Sequence, residues 1–190
     1  MKKLFSGVAT AVLLLVAACA PSPETTTKED TAAEEKGGQL MAAAKLQNAK
    51  GEQVGTATFT QVAADAPGVQ ATVSIQNMEA GDHGLHIHEV GQCDAPDFKS
   101  AGDHFNPTNK EHGEHNPKGA HAGDLGNITI ANDGTGTAEV MLEEVTLGSG
   151  DNSLLRAGGT SVVFHAKPDD QKTNPSGNSG DRMACGVITR

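Results

Sequence analysis

A two-residue rhythm constrains this chain more than any other feature. Leu40, Ala42, Ala44 and Leu46 alternate with polar or small neighbours, and "NAKGEQ" then turns the chain. "VGTATFTQV", residues 54–62, repeats the pattern, "ADAPG" turns again, and Val69, Ala71, Val73 and Ile75 line one face of a third segment. Successive side chains of a strand point to opposite faces, so this is the period of half-buried strands and not of helices. "GLHIHEV", "NITIA", "TGTAEVML", "SVVFH" and "ACGVIT" continue the series, with "NDG" between the fifth and sixth segments as a hairpin signal. No segment carries a helical stripe. Twenty-three glycines suit frequent tight turns, and with five Phe and no Trp or Tyr the core must be built from Val, Ile, Leu and Ala. The expected fold is all-β: eight short antiparallel strands in a sandwich or barrel.

Two stretches break the rhythm. Residues 91–126 and 166–183 contain no strand signal, and loops this long inside a compact domain usually carry function. They flank or contain most of the histidines. All eight histidines fall between His83 and His165, none in the first three strands.

The N-terminus speaks to compartment. Lys2 and Lys3 precede a short apolar run, Val8 to Ala18, that is too short to span a bilayer. It ends in "VAAC", small residues followed by Cys19, which resembles a bacterial lipoprotein signal. Cleavage there removes residues 1–18 and leaves the Cys19 thiol carrying lipid, palmitate among its chains. An ordinary secretory signal is the alternative, and both readings export the protein. Residues 19–38 are rich in Pro, Thr, Glu and Ala and lack large apolar side chains, so they are expected to form a disordered tether reaching about 25 Å. Loss of residues 1–18 removes two lysines and no acids, moving the formal charge from −10 to −12. Such a chain is a poor partner for nucleic acid or for anionic lipid by charge alone. Residues 39–190 are one domain's worth of sequence. It contains two cysteines, Cys93 and Cys185, which in an exported domain read as a disulfide.

In "GLHIHE", His86 and His88 share one strand face while Leu85 and Ile87 share the other. An isolated pair of this kind is also explained by two exposed polar residues, so the remaining histidines decide. His104, His112 and His121 lie in the first long stretch, with Asp124 three residues after His121. Three imidazoles and a carboxylate make a four-ligand shell suited to zinc. His86, His88 and His165 at the end of a later strand make a nitrogen-rich set suited to copper. His83 shares the face of Leu85 and Ile87 and reads as a packed structural residue, whereas His115 reads as a solvated loop residue.

These residues carry a resemblance. "GLHIHEVG" and "GNSGDRMACGVI" are similar to the two signatures of the copper–zinc superoxide dismutases, and "AGDHFNP" and "HAGDLGN" resemble that family's bridging-histidine and zinc-loop segments. The resemblance implies a Greek-key barrel and one copper and one zinc per chain. It assigns His86, His88, His104 and His165 to copper, and His104, His112, His121 and Asp124 to zinc, with His104 bridging. It also implies a Cys93–Cys185 disulfide, and Asp169 as a carboxylate orienting ligand imidazoles of both metals. The implied reaction converts superoxide to oxygen and hydrogen peroxide by redox cycling of copper, with His104 moving a proton and Arg182 drawing in the anion. In one respect the chain departs from the familiar animal enzymes: the segment from His165 to Arg182 is short and lacks a Glu-rich steering stretch, leaving Lys167 and Lys172 as its cations. A non-catalytic copper- and zinc-binding lipoprotein is the rival reading. A homodimer is open, since sequence does not set oligomeric state.

Overall fold

The computed structural model describes residues 39–63 and 66–190, so the expected signal, Cys19 and tether lie outside the described residues. Eight strands are present: β1 Met41–Asn48, β2 Gln53–Gln61, β3 Val69–Ile75, β4 Gly81–His88, β5 Asp124–Ile130, β6 Gly136–Leu142, β7 Ser161–His165 and β8 Arg182–Val187. All ladders are antiparallel, in the order β5-β4-β7-β8-β1-β2-β3-β6. Because β5 and β6 lie against each other at the two ends of that order, the sheet curls into a nearly closed barrel. Around it β6 and β5 separate β3 from β4, which is the Greek-key crossing. The only helix among the described residues is a single 3-10 turn, Lys99–Ala101.

Alternation builds the interior as the sequence predicts. Ala42, Ala44 and Leu46 of β1 meet Ala57 and Phe59 of β2, Val69, Ala71, Val73 and Ile75 of β3, and Leu85 and Ile87 of β4 in one core cluster. Outward positions on β1, β2 and β6, such as Lys45, Thr58 and Glu139, are exposed. The pattern changes at β4 and β7. From His83 to His88, and throughout β7, every residue is buried. Their inner faces join the main core, and their outer faces are covered by the long loops. Val163, on the outer face of β7, packs with Phe98, Ala101 and Cys185 in a second, smaller apolar cluster. Each such large side chain is worth about 1.5–3 kcal/mol relative to exposure.

Two details differ from expectation. The "NDG" turn forms: Asp133 Oδ1 accepts from Thr135 N at 3.0 Å, and Gly134 takes a positive φ of 80°. Yet β5 and β6 form no ladder with each other, because β4 and β3 occupy their paired edges, and they close the barrel by contact instead. Gly136 permits the close approach, since a Cβ there would sit 2.5 Å from Thr129 O. Asp124 opens β5, opposite His86, where the sequence suggested a loop. Polar Asp124 and the glycines beside it hide the strand signal.

Candidate metal centre

The outer faces of β4 and β7 present His86, His88 and His165, and the loop over residues 89–123 folds back to lay His104 beside them. An isolated bridge between His88 and His104 joins loop to strand. His86, His88, His104 and His165 are all buried and offer ligand atoms within 4.8 Å of one another. The hydrogen bonds of the opposite ring nitrogens fix which atoms these are. His86 Nε2 donates to Asp169 Oδ2 at 2.8 Å, His88 Nδ1 to Gly102 O at 2.9 Å, and His165 Nδ1 to Gly180 O at 3.2 Å. Since oxygen acceptors demand the N–H there, the free lone pairs lie on His86 Nδ1, His88 Nε2 and His165 Nε2. These three atoms and His104 Nε2 are buried without any hydrogen-bond partner. Four orphaned nitrogens facing one another are unfavourable unless an ion fills the space between them. Desolvation also keeps the rings neutral and ready to bind: it pushes His88 down to about 2, His165 to about 3 and His104 to about 4, and lowers His86.

A second set adjoins the first. Asp124 Oδ1 lies 2.9 Å from His104 Nδ1, 3.1 Å from His112 Nδ1 and 3.2 Å from His121 Nδ1. His121 Nδ1 and His104 Nδ1 are 3.4 Å apart. Four ligand atoms bound at about 2.0–2.1 Å in a tetrahedron would be about 3.3–3.4 Å apart, and these four separations lie close to that. His112 Nδ1 is close to the carboxylate but makes no hydrogen bond with it, as suits an atom presenting a lone pair to a metal. His86 also approaches His104, His112 and Asp124 closely. It belongs to the first set, because its Nε2 is committed to Asp169. Asp124 Oδ2 accepts from Gly113 N at 2.9 Å and His121 N at 3.0 Å. Burial would raise this carboxyl, but the His104, His112 and His121 rings beside it and the bond from Gly113 outweigh that and hold it far below the usual carboxylate range.

Asp169 stands behind both sets. Its Oδ2 accepts from His86, and its Oδ1 accepts from His112 Nε2 at 3.0 Å and Gln171 N at 2.7 Å. Its own backbone is gripped by Asn127 of β5, whose Oδ1 accepts Asp169 N at 2.7 Å and whose Nδ2 donates to Asp169 O at 2.8 Å. Gly177 passes so near that a Cβ there would collide with Asp169 Oδ1. Burial opposes the protonated form of His112, but the Asp124 and Asp169 carboxylates together prevail and raise it to about 9.

A profile of the copper/zinc superoxide dismutases matches residues 53–188 of this chain, a span that includes every buried ligand atom of both sets. The chain belongs to the copper/zinc superoxide dismutase family. A copper–zinc superoxide dismutase of Aquifex aeolicus is 45% identical over 152 residues, covering 79% of this chain and 88% of the relative. A superoxide dismutase-like protein of Bacillus subtilis is 40% identical over 146 residues, 76% of this chain and 74% of that one. The crystal structure of a double mutant of a SOD-like protein from Bacillus subtilis superposes with a TM-score of 0.72 at 41% identity, covering 76% of this chain and 95% of that one. Copper and zinc are the metals of this superoxide dismutase family, and the two sets of ligand atoms fit them.

Beside the centre a cavity of about 510 Å³ reaches His88, His104, His121 and His165 from solvent, and Arg182 lines it. Arg182 opens β8, and its guanidinium is held by carbonyls: Nη1 donates to Phe98 O at 2.8 Å and Nη2 to Gly102 O at 2.7 Å. Gly102 O thus serves both Arg182 and His88. The segment bearing these carbonyls is fixed by the Cys93–Cys185 disulfide and by the Phe98–Val163 packing. Lys167 and Lys172, the cations expected near the site, are exposed and do not line the cavity. Lys110 does. Residue type alone does not reveal the carbonyls of Phe98 and Gly102, because backbone acceptors leave no trace in it, nor Asn127, whose partner Asp169 is 42 residues away. His83 stacks on Phe164 at 4.7 Å, with its ring nitrogens 2.9 Å from His165 O and 3.1 Å from Glu79 O, and His115 is exposed.

Proposed function

We propose that this chain is an exported, lipid-anchored copper–zinc superoxide dismutase that protects the cell envelope from extracytoplasmic superoxide, acting as a monomer or homodimer at the end of a tether from Cys19. His86 Nδ1, His88 Nε2, His104 Nε2 and His165 Nε2 would hold copper, and His104 Nδ1, His112 Nδ1, His121 Nδ1 and Asp124 Oδ1 would hold zinc. Copper, when bound, supplies one-electron exchange, while zinc adds fixed charge and holds the loop. The reaction takes two superoxide ions and two protons to oxygen and hydrogen peroxide. Of the five N–H groups of Arg182, two are used by Phe98 O and Gly102 O, and the remaining three are available to an anion in the cavity. His104 Nε2, buried and without a protein partner, is the atom best able to hold a proton when no metal occupies its lone pair, for delivery to the superoxide that becomes hydrogen peroxide. Asp169 keeps His86 and His112 in the tautomers that binding requires.

One observation carries the catalytic reading over a merely metal-binding one: three of the four histidines with partnerless nitrogens, His88, His104 and His165, line the same cavity as an anchored arginine. Superoxide consumption by copper- and zinc-loaded protein, compared with free copper chelates, tests it. The anchor and envelope location rest on the sequence around Cys19. They are tested by mass spectrometry of that residue in membrane fractions and by the Cys19→Ser variant, which should be released in soluble form with unchanged activity per copper.

A further inference from the structure

The side chain of His112 is shut off from solvent, and the residue is held from three directions. Two of them fix the ring: Nε2 donates to Asp169 Oδ1 at 3.0 Å, and Nδ1 faces Asp124 Oδ1 at 3.1 Å. A ring pinned at its edge leaves its Cα free to shift unless the backbone is pinned as well. The backbone has its own anchor, because His112 N donates to Asn174 Oδ1 at 2.9 Å, across 62 residues of sequence. The next peptide is held too, by Gly113 N donating to Asp124 Oδ2 at 2.9 Å. Asn174 is an exposed residue of the connection between β7 and β8, which supplies no ligand atom to either set. Its place comes from a compact turn. Asp170 N donates to Gly177 O at 2.9 Å and Gly177 N to Thr173 O at 2.7 Å, while Asp170 Oδ1 accepts from Thr173 N at 2.7 Å. His115 N donates to Gln171 O at 2.9 Å, so the segment bearing His112 lies along this turn.

We propose that Asn174 is a positioning residue for zinc, acting through the backbone of His112 and leaving copper untouched. This rests on the zinc assignment of His104, His112, His121 and Asp124 above. Among the described residues the Asn174 side chain bonds only to His112 N, and His112 belongs to the zinc set alone. With Nδ1 committed to an ion, the ring and its backbone N–H cannot move to another partner. Without the ion the segment is free to shift until water takes that N–H. Loss of the Asn174 acceptor therefore falls mainly on the zinc-bound form, as weaker zinc binding and not as a less stable metal-free fold. Asp169 differs, because it bonds a ring of each set and its loss weakens both metals.

The test uses the full chain loaded with copper and stripped of zinc, with cobalt(II) as a coloured stand-in for zinc. Competition with graded chelator gives the affinity, and the visible cobalt absorption band reports the geometry around the ion. Asn174→Ala should bind zinc and cobalt about three- to tenfold more weakly and alter the cobalt band. Its copper affinity and the melting temperature of its metal-free form should match the parent's. Asn174→Asp keeps an oxygen to accept the His112 N–H and should restore both affinity and band. Asn152→Ala removes a comparable bond, 2.8 Å from Nδ2 to Glu144 O, in a connection that supplies no ligand, and should change neither readout. The proposal is overturned if Asn174→Ala matches Asn152→Ala in cobalt affinity, if Asn174→Asp is no better than Asn174→Ala, or if copper is lost in step with cobalt. A parent that takes up no cobalt overturns the zinc assignment itself, and the proposal with it.

Discussion

The two long loops reach the same centre but are secured by different means. The first, residues 89–123, supplies His104, His112 and His121. It is tied down by a covalent bond, Cys93–Cys185, and by an apolar cluster around Phe98 and Val163. The second, residues 166–181, supplies no ligand atom to either set. It is held by hydrogen bonds around Asp169 and by the close passage of Gly177. The first loop thus places ligands and the arginine clamp, and the second orients what the first has placed. The lesson is that damage to one should appear as lost stability and a displaced Arg182, and damage to the other as lost metal.

The largest expected effect lies in the first loop. Cys93→Ser opens a covalent loop of 92 residues' separation, which chain entropy values at about 4–5 kcal/mol. Its melting temperature should fall by about 10–20 °C, with activity per bound copper reduced because the carbonyls of Phe98 and Gly102 are freed. An unchanged melting curve in a non-reducing scan would show the bridge to be idle.

In the second loop, Asp169→Asn should melt closer to the parent but bind both metals more weakly, by about 10–100-fold. Equilibrium dialysis against graded chelator reads this directly. If only zinc is affected, Asp169 does not serve His86. Loss of copper and zinc together from one substitution that touches neither metal is the signature that separates this loop from the first.

A smaller effect separates protons from metals. In metal-free protein His88, His104 and His165 sit below their ordinary 6.5, with His104 near 4, so the unfolded chain takes up protons first as pH drops. Their contribution is complete above about pH 6.5 and is lost as pH falls toward their folded values. His112, raised to about 9, has the opposite sign: its contribution is present below 6.5 and lost as pH rises through 9. Metal-free protein should therefore be most stable near pH 6.5, measured by denaturant midpoints. The metal-loaded protein should lack the alkaline decline, because the ion replaces the proton on His112. A monotonic profile in metal-free protein would mean that these rings are not buried as described.

Much of this was legible in the sequence, and the parts that were not share a cause. The barrel followed from alternation, as at Val69 to Ile75, and the strand pair His86 and His88 showed which face was reserved for something other than core. Asp124 reads as part of a loop in the sequence because a strand that begins with Asp and contains Gly126 gives no apolar rhythm. The clamp on Arg182, the grip of Asn127 on Asp169 and the hold of Asn174 on His112 depend on bonds between a side chain and a backbone group 42 to 84 residues apart. Spacing along the chain does not encode them. Likewise Lys167 and Lys172 are near Arg182 in sequence, while the lysine that lines the cavity, Lys110, comes from the other loop.

The central claim is that the loops join a complete metal centre to an anchored cation so that an anion can react there. Arg182→Ala tests it most directly, because this residue contributes no ligand atom to either set. Copper and zinc per chain, by elemental analysis, should equal the parent's, while superoxide consumption at low salt should fall about ten- to a hundredfold. A variant that retains its metals and the full rate would contradict the account.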